Sequence, residues 1–260
     1  MNRDEFLKAV KEDPYQIENA DEAFKKDKEI VLTAVKGNGN VLEYAHVSLK
    51  KDKDVVLAAI KEGAHAIAFA DDTLKKDKNI MLTAIKDNGD SLEHAHSSLK
   101  KDKDVVLAAI KNSGSAIEYA DASFQKDKKI VLMAVSKSSE ALDYADASLK
   151  KDKEVVKASL KQNGYSLQYA DTSLKKDKEI VSMAVQSNGN ALRFADASLQ
   201  KNKEIVMLAV NKTGRALEYV DKSLTKDKEV VMAAVKQDGE ALEYADKSLK
   251  KDKDIVKAAK

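Results

Sequence analysis

The chain has 260 residues, with 46 Lys and Arg against 44 Asp and Glu, a formal charge of +2 and no cysteine. The signs are interspersed, so no long-range field selects nucleic acid or an anionic membrane. Without cysteine there is no disulfide, Cys-zinc site or thiol nucleophile, and residues 1–24 carry no signal-type apolar run, so a soluble cytoplasmic protein is expected.

The first element, NRDEFLKAV, begins at Asn2. It is a diverged copy of a sentence that recurs every 25 residues. The anchor is the Asp of KDK: Asp27, Asp52, Asp77, Asp102, Asp127, Asp152, Asp177, then Asn202, Asp227 and Asp252, with no insertion or deletion. Ten full copies start near residues 2, 27, 52, 77, 102, 127, 152, 177, 202 and 227, and a half copy occupies 252–260. No linker breaks the array, so 1–260 reads as a single domain. A weaker 50-residue period lies on top: 42–61 and 92–111 differ only at Tyr44/His94 and Val47/Ser97. The array reads as grown by duplication of pairs.

Within 52–76, Asp52 is suited to cap a helix, because its carboxylate accepts from amides of the next turn. Asp54 then sits where the helix dipole favours an acid. Val55, Val56, Ala59 and Ile60 follow at helical spacing, without the alternation a strand requires. A glycine stands twelve residues after the anchor in seven copies: Gly39, Gly89, Gly114, Gly164, Gly189, Gly214 and Gly239. It is expected to end the helix in the left-handed conformation. Gly63 comes one residue early, with Ala64 in the usual place; Ser139 and Pro14 are the other exceptions. A second short helix is predicted around Leu42, Ala45 and Leu49. A tight turn capped by Asp or Ser then leads to the next anchor.

Two columns are nearly all alanine, one through Ala34, Ala59 and Ala84, the other through Ala45, Ala70 and Ala95. Small side chains let helices approach closely, so both columns are expected at seams. One copy buries too little apolar surface to offset its ordering entropy. The expected fold is therefore all-α: a helical repeat solenoid, or superhelix, of ten helix-turn-helix units plus a half unit, each contacting its neighbours.

The motif KDKxVVLAAIKxxGxALEYA resembles the DUF4116 repeat, whose members carry tandem LAAVKxNGxALxYAS units. The resemblance covers 2–260 and is weakest in the first copy, where KEDPYQIENADEAF replaces the glycine turn and the aromatic. It implies a helical-repeat array and designates no catalytic residue.

Four features invite a chemical reading. The aromatic column Tyr44, Phe69, His94, Tyr119, Tyr144, Tyr169, Phe194, Tyr219, Tyr244 could stack bases or peptides; packing between copies is preferred, since Phe dispenses with the hydroxyl. The acid column Asp21, Asp71, Asp121, Asp146, Asp171, Asp196, Asp221, Asp246, with His46 and His96 substituting, lacks the oxygen spacing of a calcium loop and reads as turn capping. His65 and the His94/His96 pair do not have metal-ligand spacing. The KKDK runs read as solvated charge around a turn. No phosphate loop, nucleophile elbow or metalloprotease motif is present. No enzyme activity, cofactor or metal is expected, and neither nucleic acid nor membrane is an expected partner.

The leading expectation is a scaffold that offers an extended surface to an unidentified protein or peptide. Leu132, Lys157, Ser182 and Met207 share one position yet differ in chemistry, which marks them as candidate partner-binding residues. The alternative is end-to-end self-association, in which the half copy exposes a helix blunted by Lys257 and Lys260.

Overall fold

A computed structural model describes every residue from Met1 to Lys260, and every regular element in it is helical. Contacts divide the chain into two compact units, Met1–Gln125 and Lys126–Lys260. Within each unit, successive copies stack as the turns of a helical repeat solenoid.

The long helix of each copy forms for the reasons the sequence suggests. In the first unit, Lys53–Glu62 begins at Asp52, whose side chain accepts from the amides of Asp54 and Val55. Asp27, Asp77 and Asp102 cap their helices in the same way. In the second unit Asp127, Asp152, Asp177, Asp227 and Asp252 do so, and Asn202 accepts from Ile205 alone. Val55, Val56, Ala59 and Ile60 are fully buried on one face, the stripe that drives an amphipathic helix onto its neighbours.

The helix ends differently from the expectation. No residue has positive φ, glycine included. The chain leaves the helix through the residue before the glycine, in extended conformation: Asn38 has φ −155° and ψ 115°. Its side chain then accepts from the Asn40 amide and caps the next element. Asn88, Asn163, Asn188 and Asp238 repeat this arrangement.

The glycine is required by close approach instead. A Cβ on Gly39 would collide with the carbonyl oxygen of Ala59, and one on Gly89 would lie 2.5 Å from that of Ala109. Gly164, Gly189 and Gly214 face Ala184, Ala209 and Ala234 in the same way. The glycine column and the first alanine column are thus two sides of one seam between consecutive copies. Gly63 meets nothing within 4 Å. Where Ala64 and Ser139 occupy the column they are partly exposed, whereas Gly39, Gly89, Gly164, Gly189 and Gly214 are buried. The seam opens where it must admit a side chain. At one such place Ser159 replaces the facing alanine, and its hydroxyl donates to the Ser139 carbonyl at 3.0 Å.

The second element is a 3₁₀-helix, such as Gly39–Tyr44, Ala64–Phe69 or Gly164–Tyr169. Three residues per turn put positions three apart on one side, so buried Leu42 and Ala45 share a face. What the sequence suggests as a turn holds a third helical piece, Val47–Lys50 or Asp72–Lys75, or a 3₁₀ turn such as Leu174–Lys176. Within each unit, successive copies are also joined by a main-chain hydrogen bond from one copy to the one before it: His46 to Lys25 at 3.1 Å, Asp71 to Lys50 at 3.0 Å, Asp171 to Lys150 at 3.0 Å.

Ser91, Ser159 and Ser166 are buried. Ser159 and Ser166 donate to main-chain carbonyls, whereas the Ser91 hydroxyl has no partner. Alanine stands at the position of Ser91 in most copies, including Ala66 and Ala116. Ser91→Ala is therefore expected to stabilise the chain by about 1 kcal/mol, because an unpaired buried hydroxyl costs roughly 1–3 kcal/mol. Urea unfolding should show no such gain for Ser159→Ala or Ser166→Ala.

Candidate interaction surface

The four candidate residues lie half-buried at one position of consecutive long helices in the second unit. They do not converge. Leu132 and Lys157 line a shallow groove with Lys153, Glu154, Ala158 and Lys161. Met207 lines another, with Asn211, Met232, Ala233 and Lys236, and Ser182 lines neither. Lys157 is held by Glu179 at 2.5 Å.

The KKDK runs are more organised than solvated charge. Within each unit, the lysine after most anchors reaches the anchor of the next copy: Lys53 to Asp77 at 2.7 Å, Lys78 to Asp102 at 2.9 Å, Lys203 to Asp227 at 2.7 Å. Several also take the acid two residues further on, as Lys78 does with Asp104 and Lys128 with Glu154. Lys53, Lys78, Lys128, Lys153 and Lys203 hold the carboxyls of Asp77, Asp102, Asp152, Asp177 and Asp227 below the ordinary range. The lysine two before the anchor donates to a 3₁₀-helix carbonyl, Lys50 to Glu43 at 2.6 Å and Lys175 to Gln168 at 2.6 Å. The one directly before the anchor approaches the acid column at 3.7–4.0 Å, as Lys201 does with Asp221 and Lys151 with Asp171. Individually such exposed pairs contribute about 0–1 kcal/mol. Here they recur between copies.

The acid column caps in every copy but the first, where Asp21 makes no side-chain cap bond. Asp71 Oδ1 accepts from the Thr73 amide at 3.0 Å and its hydroxyl at 2.7 Å. In the two copies where histidine substitutes, His46 Nδ1 accepts the Ser48 amide and His96 Nδ1 the Ser98 amide, both at 3.2 Å. No group of three or more His, Cys, Asp or Glu is placed to hold a metal ion, and no helix is long and apolar enough to cross a membrane.

The surface that sequence reasoning passed over lies on the 3₁₀-helices. The position after the glycine reads Tyr15, Asn40, His65, Asp90, Ser115 through the first unit and Glu140, Tyr165, Asn190, Arg215, Glu240 through the second. Three residues later, exposed acids recur: Glu18, Glu43, Glu93 and Glu118, then Asp143, Glu218 and Glu243. The half-buried aromatic column comes next. Burial pushes the Tyr119 and Tyr169 hydroxyls up and the His94 imidazole down; Glu118, Glu93 and Asp90 add to the rise at Tyr119, and Asp143 and Glu140 at Tyr169. The rings are thus within electrostatic reach of acids of the preceding copy. In the first unit Tyr15, Asn40, Glu43, Tyr44, His65 and Phe69 line one groove. The signal for this face was present in the sequence: a column varying in size, charge and polarity beside a steady aromatic one.

A family model described as "Domain of unknown function (DUF4116)" matches residues 2–50, 27–75, 52–100, 77–125, 102–150, 127–175, 152–200, 177–225 and 227–259. The chain belongs to the DUF4116 family. Most DUF4116 matches span nearly two of the 25-residue copies and advance one copy at a time. No curated protein and no solved structure matches the chain.

Proposed function

We propose that this DUF4116 chain is a non-catalytic cytoplasmic scaffold that binds a protein or peptide on its outward-facing columns. One observation carries the reading. Positions at the seams are nearly uniform, while the solvent-accessible position after the glycine column changes in almost every copy, from exposed Tyr15, Asn40 and His65 to partly exposed Asp90 and Ser115. A solenoid that only had to stack would need no such contrast, because exposed positions contribute little to stacking. The long-helix face supplies a second varied position at Leu132, Lys157, Ser182 and Met207. The grooves on both faces are shallow and open, which suits an extended segment better than an enclosed small molecule.

Panning a random peptide library against the chain tests this. The expected result is enrichment of peptides that bind saturably and lose affinity when the varied columns are exchanged, with Asn40→Ser and His65→Ser on one face and Leu132→Ser and Met207→Ser on the other. The urea unfolding curve should stay in place for Asn40→Ser and His65→Ser, both exposed. Enrichment of nothing, or of peptides indifferent to both faces, would falsify the reading. A mass by light scattering that stays constant with concentration separates it from end-to-end assembly.

A further inference from the structure

Each unit contains one aromatic pair built at the same relative positions. Tyr15 and Tyr44 approach edge to face, with centroids 6.5 Å apart and planes at 64°. Tyr165 and Phe194 do the same at 5.8 Å and 75°. In both, the residue after the glycine position of one copy meets the aromatic column of the next. The pairs differ in what stands over them. Arg193 immediately precedes Phe194, and its guanidinium carbon lies 4.5 Å from the Phe194 centroid and 5.5 Å from that of Tyr165. The ring faces attract the cation through their quadrupoles. In the other pair the equivalent residue is Glu43.

The Tyr15–Tyr44 pair is thus the same receptacle without its internal cation and with a carboxylate at its rim. Tyr15 is 45% exposed, and its hydroxyl accepts from the Asn38 amide group at 3.3 Å, which fixes the ring. No salt bridge engages the Glu43 carboxylate; Lys50, the nearby ammonium, is spent on the Glu43 carbonyl at 2.6 Å. Glu43 lines the groove with both rings, and partial burial, then the charges of Glu18 and Glu43, push the Tyr44 hydroxyl up. His65 is the other ionisable group lining the groove.

We propose that this groove binds an arginine side chain of a basic peptide, with the guanidinium stacked on Tyr15 and Tyr44 and paired with Glu43. The occupant follows from charge complementarity and from the guanidinium the chain itself lays on the equivalent pair. The inference rests on the scaffold reading and names the chemistry of its partner at one place.

The test is an NMR titration of the ¹⁵N-labelled chain with a short acetylated, amidated Gly/Ser peptide carrying one central arginine. Its citrulline counterpart, which keeps the shape and removes the charge, is the control. Saturable shifts at Asn40, Glu43, Tyr44 and His65 are expected with arginine only. Glu43→Arg should fill the groove from within and weaken binding at least about fivefold to tenfold, the size of one cation–π contact plus one ion pair. Arg193→Glu should open the second pair and add saturable shifts at Tyr165 and Phe194. Both positions are exposed, and circular dichroism is expected to be unchanged in either variant. Equal shifts with citrulline, undiminished binding by Glu43→Arg, or silence at Tyr165 and Phe194 in Arg193→Glu each overturn the assignment. Library peptides that bind elsewhere on the chain under those outcomes would leave the scaffold reading standing and remove only this one.

Discussion

Gly189→Ala is expected to destabilise the chain by about 1–3 kcal/mol, whereas Gly63→Ala is expected to stabilise it by about 0.4–1 kcal/mol. The two glycines are adjacent to the same kind of helix end, and neither has positive φ. At a permissive backbone, alanine narrows the unfolded ensemble and the change is favourable. Gly63 fulfils that condition, with an extended φ of −178° and nothing within 4 Å of the added methyl. At Gly189 the methyl would strike the Ala209 carbonyl and come within 2.8 Å of Thr213 Cβ. One side of that contact is helix backbone, which cannot step aside without moving a copy. Overpacking therefore outweighs the entropic gain. Urea unfolding followed by circular dichroism reads the net sign, and hydrogen exchange locates the opened copies, since repeat arrays need not unfold in one step. Shifts in the same direction for both variants would show that the glycine column is not a seam.

Acidification should dissolve the fold from many places together. The anchors Asp77, Asp102, Asp152, Asp177 and Asp227 have carboxyls held below 3.8, first by the lysine of the preceding copy and also by their own helix amides. Asp71, Asp121, Asp171 and Asp196 are depressed as well, first by the Thr or Ser hydroxyl each one caps. A folded value below the unfolded one means that the native state binds fewer protons. The stabilisation is fully present above 3.8 and is lost as pH falls through the depressed folded values. Lys28, Lys78, Lys128, Lys203 and Lys228 are raised above 10.5, first by side-chain bonds to their aspartates. That contribution is complete below 10.5 and disappears as pH rises through the folded values. Helicity is thus expected to stay level between these limits and to fall cooperatively below pH 3.8. Replacing two anchors, Asp152→Asn and Asp177→Asn, keeps a capping oxygen and deletes the titration. The double variant should be less stable at neutral pH and should lose less of its remaining stability on acidification. An identical acid transition in the variant would sink the linkage.

Much of the local structure was legible. Every long-helix start followed from an Asp or Asn before a periodic apolar stretch, and the capping role of Asp71 and its equivalents followed from the turn that needed it. The alanine seam was also readable, because close approach needs small side chains. The glycine was located correctly but given the wrong reason. A left-handed cap and a backbone contact with the next copy select the same residue, and only the geometry of Gly39 against Ala59 separates them. The lysine of KDK was missed as a connector because its partner lies 24 residues on, outside any helical or strand period. Leu132, Lys157, Ser182 and Met207 stand out in the sequence because they vary at one position of the long helix, where α-helical spacing is easily read. The more varied column through Tyr15, Asn40 and His65 is less legible because it begins a 3₁₀-helix, where α-helical spacing makes no prediction.

The sequence by itself determined the period, by direct repetition of its anchor, and the helix starts and buried stripes, which follow from neighbours within one or two helical turns. The tertiary structure alone decided how one copy sits against the next: Gly89 under Ala109, Lys78 on Asp102, Tyr15 against Tyr44. These contacts join residues 20 to 29 apart. Their register depends on the stagger between copies, which packing of the whole layer sets and no local pattern encodes.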